Sequence, residues 1–333
     1  MKSESDSWEQ KYNSICLGFG LFRLLTHCLK VYFLHPPYFA EVCGTGQTPF
    51  LMSEQVDLKS VAGQVRRDIV RMVHAVQSGH PGGSLGCVEF FVALYGKVMI
   101  YNKGQFDMNG RKEDLFFLSN GHISPVWYSV LARLAGYFPV SELATFRKLN
   151  TRLQGHPATH EKLPGVRVAS GSLGQGLSVA IGAALTKKLN QENSLVFSLH
   201  GDGELQEGQI WEAAMYASAH KVDNIISTID LNGQQIDGAT DAVLPMGDIR
   251  KKFEAFGWDV LEMDGGQLDE VIATLEKAKS HTGKGKPVVI LMKTIMGNGV
   301  DFMMHTHKWH GVAPNDEQLK KALDQLPETI GDY

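Results

Sequence analysis

The sequence predicts an α/β fold, a parallel sheet layered between helices, on three observations. Strand-like runs at Leu195 to Leu199, Ile225 to Ile229, Val260 to Met263 and Val288 to Met292 are apolar without alternation, as strands buried on both faces are. Helical stretches at Leu177 to Leu189, Ile210 to Ala219 and Leu268 to Lys279 alternate with them. No repeat, low-complexity tract or obvious linker interrupts residues 52–294, so one domain is the simplest count. In such sheets ligands bind at the carboxyl ends of the strands.

Taken in order, residues 1–51 differ from the rest. The stretch from Cys16 to Leu34 is apolar, yet Arg23, His27 and Lys30 interrupt it, which makes a poor transmembrane helix. Glu4, Asp6 and Glu9 replace the basic start of a secretory signal. We expect an N-terminal extension outside the fold, with Met52 the natural start of a domain over 52–333. Val61, Val65, Ile69, Met72 and Val76 then recur at helical spacing, with Ser53 available as a cap and Gly79 as a stop. After a loop at His80 to Gly83, the run from Leu85 to Met99 reads as a second helix and Leu115 to Leu118 as a short strand. Ser124-Pro125 opens a helix that closes near Gly136, and Asp316 to Leu326 forms the last one.

Composition excludes several classes. The chain is 43% hydrophobic and 20% charged, an ordinary globular mixture. With 32 basic and 36 acidic residues and a net charge of −4, it offers no cationic footprint for nucleic acid or an anionic membrane. Of its 4 cysteines only Cys87 lies beyond residue 50, which argues against a disulfide framework and suits a cytoplasmic setting. Among its 13 histidines, His80, His122 and His156 adjoin glycine or proline, where a loop can present the ring to a ligand.

The sharpest local signal is Gly201-Asp202-Gly203-Glu204, directly after one strand, with Asn232 at the end of the next. A carboxylate oxygen of Asp202, an amide oxygen of Asn232 and the backbone carbonyl of Gln234 are hard ligands that suit magnesium, or calcium or manganese in its place. Magnesium keeps further positions for phosphate oxygens, so this half-shell predicts a diphosphate ligand. Gly201 and Gly203 let backbone amides approach that anion, at the start of a helix. Alone, the string is also ordinary turn vocabulary.

Further segments resolve that ambiguity. SGHPGGSLG (Ser78 to Gly86), LSNGHISP (Leu118 to Pro125), QGHPATHEKLPGV (Gln154 to Val166), SGSLGQGLSVAIGAAL (Ser170 to Leu185), HGDGELQEGQIWEA (His200 to Ala213), DLNGQQIDGAT (Asp230 to Thr240) and HKWHG (His307 to Gly311) resemble, in order and spacing, the N-terminal domain of transketolase. The resemblance implies thiamine diphosphate as cofactor, with Asp202, Asn232 and the Gln234 carbonyl on its metal. It places His122 and His307 at the cofactor's diphosphate and reactive ring, beside Gly171, Gly201 and Gly203. His80 and His156 would meet the sugar's oxygens, so His80, His156 and His307 are the expected catalytic histidines. Leu173 and Ile236 match apolar positions that hold the cofactor bent, and Glu207 and Glu212 match carboxylates that face a neighbouring domain. Ser172, where many relatives have proline, and Gly233 are departures that remove no ligand.

The resemblance also implies a partner. The sequence stops at residue 333, without room for the pyrimidine-binding and C-terminal domains of a transketolase. The expected protein is therefore the N-terminal subunit of a split enzyme, a homodimer or a heterotetramer with a second subunit. Together they would move a two-carbon ketol unit between ketose and aldose phosphates, by default those of the pentose phosphate pathway. Half of a related thiamine enzyme, such as deoxyxylulose-phosphate synthase or a 2-oxo acid dehydrogenase alpha chain, and a non-catalytic thiamine-diphosphate-binding protein are the alternatives. The SGHPGG, QGHP and HKWHG segments favour transketolase.

Overall fold

In the computed structural model of the chain, the residues described are 57–333; the expected extension over 1–51 and the Ser53 cap lie outside them. Helix α1 (Leu58–Ala75) is capped by Asp57, whose carboxylate accepts the backbone N–H groups of Lys59 and Ser60 at 3.1 and 3.2 Å. Its Val61, Val65, Ile69 and Met72 are buried, as their spacing predicts. The helix ends before Gly79, and Gln77 takes the left-handed conformation (φ 49°).

The next segment corrects the sequence reading. His80 to Gly83 is no loop, because Pro81 starts α2 (Pro81–Gly86), and the expected helix over 85–99 is divided into α3 (Val88–Ala93) and a π turn at Leu94–Val98. Tertiary packing accounts for the glycines: a Cβ on Gly82 would sit 2.6 Å from Met296 Cγ and 2.8 Å from the Trp309 carbonyl. Only glycine lets this short helix touch the chain that returns from residue 296.

Strand β1 (Leu115–Leu118) and α4 (Ser124–Arg133), with Pro125 in its first turn, follow as expected. Then come α5 (Gln175–Leu189), β2 (Val196–Gly201), α6 (Gly208–Ala219) and β3 (Ile225–Leu231). A small hairpin, β4 (Gln234–Gln235) and β5 (Gly238–Ala239), leads to α7 (Thr240–Val243) and α8 (Ile249–Ala255). The chain continues through β6 (Asp259–Asp264), α9 (Leu268–His281), β7 (Val288–Lys293) and α10 (Asp316–Gln325), the last capped reciprocally by Asn315 and Gln318.

The main sheet is parallel throughout, in the order β1-β2-β3-β7-β6. Successive side chains of β1 enter opposite cores. Phe116 and Leu118 join the cluster built from α1, α3, α4 and α9, while Leu115 and Phe117 join the one under α5, α6 and α8. Both faces are therefore covered, which is why the strands read as continuous apolar runs. Among the described residues no helix is long and apolar enough to cross a membrane.

Candidate active site at the carboxyl ends of the strands

Parallel pairing sets Gly201, the last residue of β2, beside Asp230 of β3, so both strands release their loops at one level. The Asp202 N–H donates to the Asp230 carbonyl at 3.1 Å. The loop after β3 then folds back onto Asp202: Gly233 N–H reaches Asp202 Oδ2 at 2.6 Å, and Gly203 N–H reaches Oδ1 at 2.8 Å. Asn232 is held from both sides, donating from Nδ2 to Asp230 Oδ2 and accepting at Oδ1 from the Gln234 N–H, each at 2.8 Å. The three residues expected on a metal are thus drawn into one turn.

Electrostatics there favour a cation. Burial, reinforced by the nearby Asp230 carboxylate, pushes the Asp202 carboxyl up to about 7, and burial raises Asp230 as well. Two acids that resist ionising side by side are relieved by a positive ion. Among the described residues no group of three or more His, Cys, Asp or Glu is placed to hold a metal, so a cation at Asp202 would draw further protein oxygens from amide and carbonyl groups.

A cavity of about 310 Å³ opens above this turn. His80, His122, His156, Gly171, Leu173, Gly201, Asp202, Gly203, Asn232, Gln234 and Ile236 all line it, so the structure brings these sequence-selected residues together. Gly171 has a reason to be glycine: its φ is 132°, and a Cβ would meet the His156 ring at 3.0 Å. Ile236 is 62% exposed, an apolar side chain left bare at the rim of a polar cavity. Glu207 lines the cavity, whereas Glu212 faces a separate groove between α5 and α6.

His307 is placed elsewhere. It is exposed, at the start of a short turn spanning His307–Trp309, and does not line the cavity. The second histidine of the same HKWHG segment, His310, lines it instead and stacks on His122, ring centroids 5.1 Å apart at 29°. His80 lies at the centre of the group, 5.1 Å from His122, 5.7 Å from His310 and 6.1 Å from His156. Burial, then the neighbouring His310, Arg147 and His156, lowers His80 to about 4. Burial also lowers His122, His156 and His310, so all four rings are neutral near pH 7 and can each both donate and accept. Sequence reasoning missed His310, Asn120 and Met296 as lining residues, although the first two sit inside motifs it had selected.

The residues fit a diphosphate-bearing cofactor. Asn120 Oδ1, His80 Nδ1 and His310 Nδ1 are buried without a hydrogen-bond partner, a cost that a polar ligand in the cavity would remove. The Gly201-Asp202-Gly203 turn lines the cavity beside Asn232 and Gln234, with no bulky side chain at the glycines to keep an anion away.

Comparison with known proteins agrees with this geometry. The family model described as "Transketolase, thiamine diphosphate binding domain" matches residues 58–327. A 6-deoxy-6-sulfo-D-fructose transketolase subunit of Clostridium sp. (strain MSTE9) is 36% identical over 83% of this chain and 98% of that protein. An apulose-4-phosphate transketolase subunit of Actinobacillus succinogenes is 36% identical over 82% and 96%. Among solved structures, the transketolase of Campylobacter jejuni superposes with a TM-score of 0.75 at 32% identity, covering 83% of this chain but 43% of that one. The chain thus spans nearly all of the subunit relatives and about two fifths of the solved transketolase. On a shared domain model, near end-to-end likeness to transketolase subunits and a common fold, the chain belongs to the transketolase family, as its thiamine diphosphate binding domain.

Proposed function

We propose that this chain is the N-terminal subunit of a split transketolase, which holds thiamine diphosphate and magnesium and, with a second subunit, transfers a two-carbon ketol unit between sugar phosphates. The observation that carries this reading is the convergence of Asp202 and the 231–235 loop beneath a cavity walled by histidines. Asp202, Asn232 and the Gln234 carbonyl hold the cation, calcium or manganese serving in place of magnesium, and the Gly201-Asp202-Gly203 turn lies alongside the diphosphate. Thiamine diphosphate, when bound, supplies the electron sink for carbon–carbon bond cleavage and formation.

The remaining chemistry falls to this chain's side chains. Leu173 and Ile236 give the cofactor an apolar seat. His80, half-buried, and His156, more exposed at the cavity wall, are both neutral; they hydrogen-bond the hydroxyl and carbonyl oxygens of the sugar and move protons at them. His122 and His310, stacked, stand at the diphosphate and the reactive ring.

Two features support a partner bearing the pyrimidine-binding and C-terminal domains. The relatives matched over nearly their whole length are named as transketolase subunits. Helices α5 and α6 also leave Val179, Leu189, Met215 and Tyr216 exposed beside a groove of about 380 Å³, an apolar face of the kind subunits cover. The family match begins at residue 58, which supports reading residues 1–51 as an extension to the domain.

The test is to combine the chain with a candidate pyrimidine-domain partner and follow ketol transfer from ketose to aldose phosphates. Activity that needs both chains, thiamine diphosphate and magnesium is expected. Cofactor binding without transfer by any such pair would instead favour a non-catalytic role, and absence of binding would overturn the reading.

A further inference from the structure

The carboxylate of Glu204 is an acceptor at the meeting point of three segments that build the cavity. It is 2% exposed and sits one residue beyond the Gly-Asp-Gly turn. Oε1 accepts the backbone N–H of Gly174 at 2.7 Å and the hydroxyl of Ser119, and Oε2 accepts the N–H of Gly201 at 3.1 Å. Ser119 follows β1, Gly174 closes the turn that carries Gly171 and Leu173, and Gly201 ends β2 beside Asp202. The Ser119 hydroxyl in turn accepts the N–H of Gly176 at 3.1 Å, which ties the start of α5 to the same point.

A buried carboxylate is costly unless its oxygens are satisfied, and here those donors satisfy them. His200, fully buried, adds a ring nitrogen 3.8 Å from Oε1, while its Nε2 bonds Ser198 Oγ at 2.9 Å. The Ser119 hydroxyl and the Gly174 and Gly201 amides all direct hydrogens at these oxygens, which a carboxylate that only accepts can satisfy. Backbone amides of two separate loops are thereby fixed to one charge. No apolar or neutral residue of similar size can replace it: glutamine would direct an NH₂ toward a backbone N–H or the serine hydroxyl.

We propose that Glu204 is a positioning residue that sets the Gly171–Leu173 turn at a fixed distance from the Asp202 turn, so that the apolar seat and the cation site are preorganised for one cofactor. The proposal rests on the function proposed above only for the identity of that cofactor; the positioning itself belongs to the chain alone.

The experiment is amide hydrogen exchange on the full chain without cofactor, wild type against Glu204→Gln, followed by calorimetry with thiamine diphosphate at saturating magnesium. Exchange at Gly174, Gly176 and Gly201 should accelerate about tenfold or more, while Ile226 and Ile229 in the sheet keep wild-type rates. The dissociation constant for the cofactor should rise by a similar factor. Should Glu204→Gln fail to fold, Ser119→Ala, which keeps the carboxylate and removes one donor, should show the same pattern at about two- to fivefold. Unchanged exchange in the 171–176 segment, or acceleration spread evenly over loop and sheet, overturns the proposal. If wild type does not bind thiamine diphosphate, the functional reading fails while the exchange comparison still decides this one.

Discussion

His310 stacks on His122, ring centroids 5.1 Å apart and inclined by 29°, although the two lie 188 positions apart in the chain. The pair closes one wall of the cavity above Asp202, and it selects between the two histidines of HKWHG. His310→Ala should lower kcat of the assembled enzyme by about 100-fold or more, the scale of a lost acid–base group. His307→Ala should stay within about threefold of wild type, as surface substitutions do. Steady-state ketol transfer with both subunits present distinguishes them, and equal losses would return the role to His307.

Asp202 is the one carboxylate of the proposed cation site, and it also accepts the N–H groups of Gly203 and Gly233. Asp202→Ala removes a ligand and leaves both donors unpaired. Affinity for thiamine diphosphate with magnesium should fall at least about 100-fold, while cooperative unfolding persists. Calorimetry and a melting curve measured on the same sample separate the two effects.

Protonation of His80 gives a pH signature. Its folded value of about 4 lies below the ordinary 6.5, because burial, His310, Arg147 and His156 all disfavour the cation. The neutral ring's contribution to stability is complete above pH 6.5 and is lost as pH falls from there toward 4, since the unfolded chain takes up the proton first. Ring NMR of the cofactor-free chain should place the titration near 4, and Arg147→Met should move it upward. A His80 ring that titrates near 6.5 in the folded chain would contradict this account.

Away from the site, Asp68 joins α1 to α4. Its buried carboxylate accepts from Arg133 Nε at 2.5 Å and from Ser129 Oγ at 2.6 Å. Asp68→Ala strands a buried guanidinium and should cost about 3–5 kcal/mol. Urea unfolding monitored by tryptophan fluorescence would show it as a lower midpoint with an unchanged slope.

The strands were legible because their chemistry is local. A strand covered on both faces is mostly apolar along its length, and β2, β3, β6 and β7 lie within two residues of the runs that announced them. The Asp202 turn was selected for a similar reason, because glycine, aspartate and asparagine at consecutive strand ends are local features, although alone they are also ordinary turn vocabulary. Glycines 82 and 83 misled, since they signal a loop by propensity but here let α2 pack closely, Gly82 against Met296 and Trp309 and Gly83 against Ile123. Propensity describes a residue's own backbone, and it cannot contain the approach of a segment two hundred positions away.

The same limit separates what the sequence determined from what only tertiary structure decided. Residue types and their order were enough to specify a doubly covered parallel sheet, the Asp202 turn and the motifs that carry the family. Which histidine of HKWHG faces His122, and where the Glu204 carboxylate finds its donors, depended on how distant loops come to rest on one another. His307 and His310 carry the same imidazole three positions apart, and packing alone chooses which of them faces the cavity.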